Sequence, residues 1–341
     1  MILGHGNNRY YYKDKIKHDF SSNIAFNNHS KLIAQYLCSR MIDIENYPDP
    51  TANILSHKIA KHHCCDARSI VVCNGSAEAF YMIAHLISRQ TKRARSLIFT
   101  PSFAEYEDSC KLYDHQIEYA ELKEFTAIDY SLFNSVWIGS PNNPDGYRVS
   151  NRDIRSVAIA NPNCLFIVDR AYNDLSTNCE QEESIHIKNA ILVHSLTKSF
   201  GIPGVRLGYI IAHPDINEHL KELRPPWSVN ALSLAAGEYI MDNYRVLNID
   251  LDELLQQSLF LQQSLSKISY LEVTPSDSNF FLCRIVDGRT ADELHTYLIE
   301  EHGILIRDAS NFRGLTPYHF RVAAQCEEVN KILIESLQQW I

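Results

Sequence analysis

The sequence predicts an α/β fold: a mostly parallel sheet with helices on both faces, followed by a smaller α+β unit. Three observations carry that expectation. Between residues 69 and 209, short apolar runs alternate with helix-like stretches, the pattern of parallel strands joined by crossovers. Runs such as residues 190–193 (AILV) and 165–168 (LFIV) are continuously apolar and read as buried strands. The loops after four of these runs carry Gly75, Asn143, Asp169 and Lys198, and in such sheets ligands bind beyond the carboxyl ends of the strands.

A chain of 341 residues, 45% apolar and 21% charged, can bury one large core or two unequal ones. The net charge of −9 is not the basic field that a nucleic-acid surface needs. No run approaches the roughly 20 apolar residues that would cross a bilayer. Residues 1–17 lack an apolar segment behind a basic head, so no signal peptide is expected. Nine cysteines without a C-x-x-C pair suit free thiols in a reducing cytoplasm. We expect an N-terminal arm over residues 1–30, a large unit over 31–230 and a small unit over 231–341.

Within the arm, Arg9-Tyr10-Tyr11-Tyr12-Lys13 mixes bases and aromatics, but so short a run in an acidic chain reads as a solvated or subunit-contacting face. His5 stands between Gly4 and Gly6, where backbone and imidazole can approach a ligand closely. Helices are expected over 30–40 and 51–63, separated by Tyr47-Pro48-Asp49-Pro50. His62-His63-Cys64-Cys65 has the composition of a metal cluster. Adjacent helical residues point ~100° apart, however, so the four read as a helix end.

Strand 69–73, a glycine turn and helix 79–88 follow. The N–H groups of Gly75, Ser76 and Ala77 then form an anion site at the positive end of a helix. Strand 97–100 leads to Phe103, whose ring could lie over a flat cofactor. After strand 136–139, the Asn143 amide is pinned between prolines as a rigid donor. Strand 165–169 ends on Asp169, a buried carboxylate that needs a cationic partner, with Tyr172 three residues on.

Strand 190–193 runs out into Ser195, Thr197 and Lys198, and Gly201, Pro203 and Gly204 turn the chain so that Arg206 returns. A lysine at the mouth of a buried strand is desolvated, which lowers its pKa and makes it a usable nucleophile. Two hydroxyls and a guanidinium beside it suit a phosphate dianion. Amine plus phosphate cradle points to an aldehyde cofactor that carries a phosphate, pyridoxal 5'-phosphate. Beyond residue 209 we expect a long helical region over 231–267 broken near Asn248, and strands over 279–284, 303–307 and 319–322. A helix over 327–340 places Val329, Leu333, Leu337 and Trp340 on one face. Arg307 and Arg321 each lie at a strand end, and two arginines suit a doubly anionic ligand.

The stretches SPNNPDG (140–146), VDRAY (168–172) and SLTKSFGIPGVRLG (195–208) resemble the motifs of fold-type-I pyridoxal-phosphate enzymes of the class I/II aminotransferase group. The resemblance spans about residues 5–324. Outside the shared motifs, HGN (5–7), DFSSNI (19–24), PSFAEY (101–106), PWSVNAL (226–232) and ILIRDASNFRGLTPYHFRV (304–322) are more similar to L-threonine-O-3-phosphate decarboxylases of cobalamin synthesis than to histidinol-phosphate aminotransferases.

The resemblance implies that Lys198 condenses with the cofactor's aldehyde and that Asp169 pairs with its pyridine nitrogen. Asn143 and Tyr172 would hold the phenolic oxygen, and Phe103 would stack on the ring. Gly75, Ser76, Ala77, Ser195, Thr197 and Arg206 would bind the cofactor phosphate, with Tyr47 supplied by the partner in a homodimer. His5, Gly6, Asn23, Arg307 and Arg321 would hold the carboxylate and phosphate of a small phosphorylated amino acid. Arg170 and Asp145 depart from the group's usual pattern without an expected role in chemistry, although Asp145 adds a negative charge near the site, and the Gly75-Ser76-Ala77-Glu78 wording differs from the best-known decarboxylase pattern. Decarboxylation of O-phospho-L-threonine is the expected activity. Transamination of histidinol phosphate is the alternative, and a non-catalytic binding protein on the same fold is the alternative of another class.

Overall fold

The computed structural model describes residues 9–26, 29–177, 187–247 and 249–340. In chain order the strands are β1 (His18–Asp19), β2 (Ile70–Cys73), β3 (Arg95–Thr100), β4 (Gln116–Glu121), β5 (Ser135–Gly139), β6 (Leu165–Asp169) and β7 (Ala190–Ser195). They continue as β8 (Gly208–Ile211), β9 (Leu271–Val273), β10 (Phe280–Ile285), β11 (Ile304–Leu305), β12 (Arg307–Asp308) and β13 (His319–Ala323). One sheet has the order β2-β8-β7-β6-β5-β3-β4. From β7 to β4 all neighbours run parallel, and β8 alone is reversed against both β2 and β7. The carboxyl ends of the other six strands therefore share one edge.

Alternation of side chains explains the apolar runs. Trp137, Ile167, Ile191 and Val193 enter one core with Phe80 and Ile83 of helix Gly75–Gln90. Val136, Ile138, Phe166, Val168 and Leu192 enter the opposite core with Ile59, Leu234 and Ile240. With both faces covered, neither set of alternate positions can be polar. Burial contributes roughly 1.5–3 kcal/mol for each such side chain. β4 (QIEYAE) has no such signature because it is the solvated edge of the sheet.

A second sheet, β12-β13-β10-β9, is antiparallel throughout. Phe281 and Phe320 pack there against Leu261, Leu333 and Leu337, the latter two from helix Glu327–Gln339. A small cluster of Ala25, Tyr172, Leu254, Phe280 and Ala323 joins the two layers beneath the functional edge.

Several elements differ from expectation for identifiable reasons. The strand expected over 303–307 is two strands: β11 pairs parallel with β1, and β12 pairs with β13, so the chain changes sheets at Ile306. Helix Asn53–His62 starts two residues late because Asp49 accepts from the N–H groups of Thr51 (2.8 Å) and Asn53 (2.7 Å), with Ala52 left-handed between them. The region 231–267 forms helices Ala231–Asp242 and Leu251–Leu265. Leu234, Ala236, Ile240 and Leu247 pack with Leu55 and Ile59 in the core of the larger sheet. No helix among the described residues is long and apolar enough to cross a membrane.

Candidate active site

A cleft of about 350 Å³ lies at the shared carboxyl edge. Its walls take Phe103, Asn143, Tyr172, Lys198 and Arg206 from the larger sheet's loops, Arg307 and Arg321 from β12 and β13, and Asn23 from the N-terminal segment. The structure thus gathers, in one place, residues almost 300 positions apart.

Lys198 stands on a single turn, Leu196–Ser199, directly after β7. Its Nζ lies 5.9 Å from the centroid of the buried Tyr172 ring. The side chain is half-buried rather than fully buried, because it forms part of the cleft wall. Phe103 is held edge-on by Phe80 (6.2 Å between centroids) and Tyr106 (5.9 Å), so its ring is braced at the cleft wall.

Asp169 is the last residue of β6 and only 6% exposed. Burial pushes its carboxyl up to about 6, against the opposing pull of its hydrogen bonds and of Lys198. The Tyr106 hydroxyl donates to Oδ2 (2.6 Å) and the Ala171 N–H to Oδ1 (2.9 Å). Tyr106 escaped sequence reasoning as a site residue; its spacing, three residues after Phe103 at the start of helix Ala104–Leu112, is the only signal for it.

The anion cradle forms behind Lys198. Helix Gly75–Gln90 starts on Gly75 itself (φ +77°), where a Cβ would lie 3.1 Å from Cζ of Arg206. The Ser195 and Thr197 hydroxyls are 2.8 Å apart. First-turn N–H groups, two hydroxyls and a guanidinium form the donor set a phosphate dianion requires, so the residues present fit the expected cofactor. Gly208 holds the cradle together, because a Cβ there would stand 2.7 Å from both Ser76 N and His194 O. Gly208→Ala is expected to cost about 1–3 kcal/mol through overpacking and to weaken cofactor binding. Thermal melts of the apo protein and a cofactor titration check both effects.

On the opposite side, Asn143 accepts a hydrogen bond at Oδ1 from Nη1 of Arg321, which fixes the amide with Nδ2 as its donor end. Arg321 is buried, donates through Nη2 to Ser21 O (2.6 Å), and has no hydrogen-bond partner for Nε among the described residues. Burial pulls it down to about 10, so it stays charged at neutral pH. Asn23 is 1% exposed, and neither end of its amide has a partner among the described residues. Orphaned buried polar atoms cost roughly 1–3 kcal/mol each, and a ligand in the cleft removes that cost. Arg307 is buried and donates to Asn311 Oδ1 (2.8 Å).

Not every expected residue arrives. Tyr47 is 82% exposed, rests on Trp227 and lines a separate groove, so this chain does not bring it to its own cleft. His5 and Gly6 lie outside the described residues. Arg170 is buried and donates to Ser140 O (2.9 Å), and Asp145 accepts from Asn142 Nδ2 (2.9 Å) and Tyr147 N (3.0 Å); both brace the loop that carries Asn143.

The family model of aminotransferase class I and II matches residues 19–337. The chain belongs to this family. Among class I and II aminotransferase relatives, the "Putative threonine-phosphate decarboxylase" of Caldanaerobacter subterraneus subsp. tengcongensis is 33% identical over 319 residues, covering 87% of this chain and 83% of that protein. A histidinol-phosphate aminotransferase of the same organism is 29% identical over 314 residues, covering 88% and 86%. The crystal structure of L-threonine-O-3-phosphate decarboxylase from Porphyromonas gingivalis superposes with a TM-score of 0.89 at 33% identity, covering 95% of this chain and 99% of that one. The class I and II aminotransferase family is pyridoxal-phosphate-dependent, and this chain is an enzyme of it.

Proposed function

We propose that the enzyme decarboxylates O-phospho-L-threonine to 1-amino-2-propanol O-2-phosphate for cobalamin synthesis. The observation that carries this reading is the pair of buried arginines, Arg307 and Arg321, on the walls of the cleft that Lys198 enters, with Asn23 unsatisfied in the same cleft. Two guanidiniums match a substrate with both a carboxylate and a phosphate. The 33% identity to a chain of that name and the 0.89 superposition on a solved decarboxylase support it.

When bound, pyridoxal phosphate supplies an electron sink for charge left at Cα. The residues of the chain do the rest. The cradle from Gly75 to Arg206 anchors the cofactor phosphate, and Asp169 supplies the carboxylate for the ring nitrogen. Arg321 and Asn23 hold the substrate carboxylate and so select the bond to Cα that is presented for cleavage. The Cα–carboxylate bond breaks, CO2 leaves, and the Lys198 amine or water delivers a proton to Cα. We also infer that two chains pair, with Tyr47 reaching the partner's cofactor phosphate, and that the enzyme works in the cytoplasm on small molecules.

The test is incubation of the pure holoenzyme with O-phospho-L-threonine, following CO2 and the amino product. Stoichiometric CO2 release without a keto product is expected. Glutamate formation from histidinol phosphate and 2-oxoglutarate, without CO2 release from O-phospho-L-threonine, would replace this reading with the aminotransferase.

A further inference from the structure

Among the described residues, the cleft is lined by five cationic side chains, Lys198, Arg206, Arg307, Arg313 and Arg321, and by a single carboxylate, Glu107. Four of the cations have been accounted for. Arg313 and Glu107 have not. We propose that Arg313 takes the substrate phosphate together with Arg307, and that Glu107 is the positioning residue that aims it. This inference rests on the reading that the substrate is a phosphorylated amino acid.

Arg307 of β12 and Asn311, Phe312 and Arg313 of the loop to β13 lie close together at the cleft. Asn311 accepts from Arg307 (2.8 Å), and the Phe312 ring lies 5.3 Å from the Arg307 guanidinium. Arg313 extends from this loop across to helix Ala104–Leu112, where it grips Glu107 in a two-point fork. Nε donates to Oε2 (2.8 Å) and Nη2 to Oε1 (2.6 Å). The guanidinium also lies 4.2 Å over the Tyr119 ring, which sets its plane.

The fork uses Nε and Nη2 and leaves the Nη1 edge outside the pair. The Arg313 side chain is 45% exposed, whereas that of Glu107 is 5% exposed. Both residues line the cleft, and the arginine is the more exposed of the two. Lys111 also donates to Glu107, so the carboxylate is held from two sides. At this exposure the Arg313 pair adds little to stability. Arg313 strongly depresses the Glu107 carboxyl, to about 2, so the aiming charge persists throughout the working pH range.

The test compares holoenzyme binding of O-phospho-L-threonine with that of L-threonine, read from the cofactor's visible absorbance. The ratio isolates the phosphate contribution. Arg313→Ala is expected to weaken O-phospho-L-threonine about 10- to 100-fold, the range for a lost charged hydrogen bond, and L-threonine less than threefold. Arg321→Ala should weaken both. Glu107→Gln should weaken only the phosphorylated ligand, by a smaller factor, and should add nothing in the Arg313→Ala background. Arg313→Lys, which keeps the charge but loses the fork, should fall between wild type and Arg313→Ala, and it serves if the alanine variant does not fold. Inorganic phosphate titrated calorimetrically into the same holoenzymes gives the comparison without any amino acid. It therefore stands even if no CO2 is ever released. Equal weakening of both amino acids by Arg313→Ala, or no weakening of phosphate, overturns the proposal.

Discussion

Lys198→Ala is expected to abolish turnover, with a loss of at least about 10³-fold, the scale set by removal of a group that acts in proton transfer. On the proposed reading the same amine also anchors the cofactor, so the loss should lie at the upper end or beyond. The protein should lose the yellow colour that borohydride bleaches in the wild type. The fold should persist: Lys198 Nζ makes no hydrogen bond among the described residues, and the side chain is half-buried on the cleft wall rather than packed in a core. Circular dichroism and the melting curve should therefore change little. A variant that keeps turnover would sink the assignment of this amine.

The second large effect concerns Asp169. Its carboxyl is raised from the ordinary 3.8 to about 6 by burial. A raised acid favours the protonated form in the folded state. The stability that this group contributes to the apo protein is therefore present below about pH 4 and is lost as pH rises through 6. Cofactor binding has the opposite sign, because a protonated ring nitrogen wants the carboxylate ionised. Affinity should fall about tenfold per pH unit below 6, and a fluorescence titration between pH 5 and 7 checks it. Asp169→Asn should remove that dependence and lower kcat/KM by between about 10² and 10⁴, the range for breaking one partner of a buried charge pair at ~3–5 kcal/mol. A flat wild-type profile would refute the pairing.

The larger sheet was legible because its strands are sandwiched, so residues such as Ile167 and Val168 must both be apolar although they face opposite cores. The position of Asp169 and Lys198 at the sheet's carboxyl edge was legible because each follows an apolar run. What sequence reasoning missed depends on tertiary meetings with no local signature. Tyr106 reaches Asp169 across 63 positions, and Arg313 reaches Glu107 across 206. Each of the four residues is unremarkable in its own helix or loop. β4 was missed for the opposite reason: an edge strand needs no apolar run, so nothing distinguishes QIEYAE from a loop. The split of residues 303–307 between two sheets was hidden because pairing partners, not propensity, decide it.

The pairing of β1 with β11 has a consequence for biosynthesis. His18 and Asp19 meet Ile304 and Leu305, Phe20 O accepts from Ala323 N, Ser21 O accepts from Arg321, and Ala25 N donates to the carbonyl of Lys198 itself. Residues 18–21 are thus made well before the partners at 304–323 that hold them. A nascent chain can lay down the parallel strands as they emerge, whereas the wall of the cleft made by residues 21–24, 307 and 321 closes only after β13 has been made.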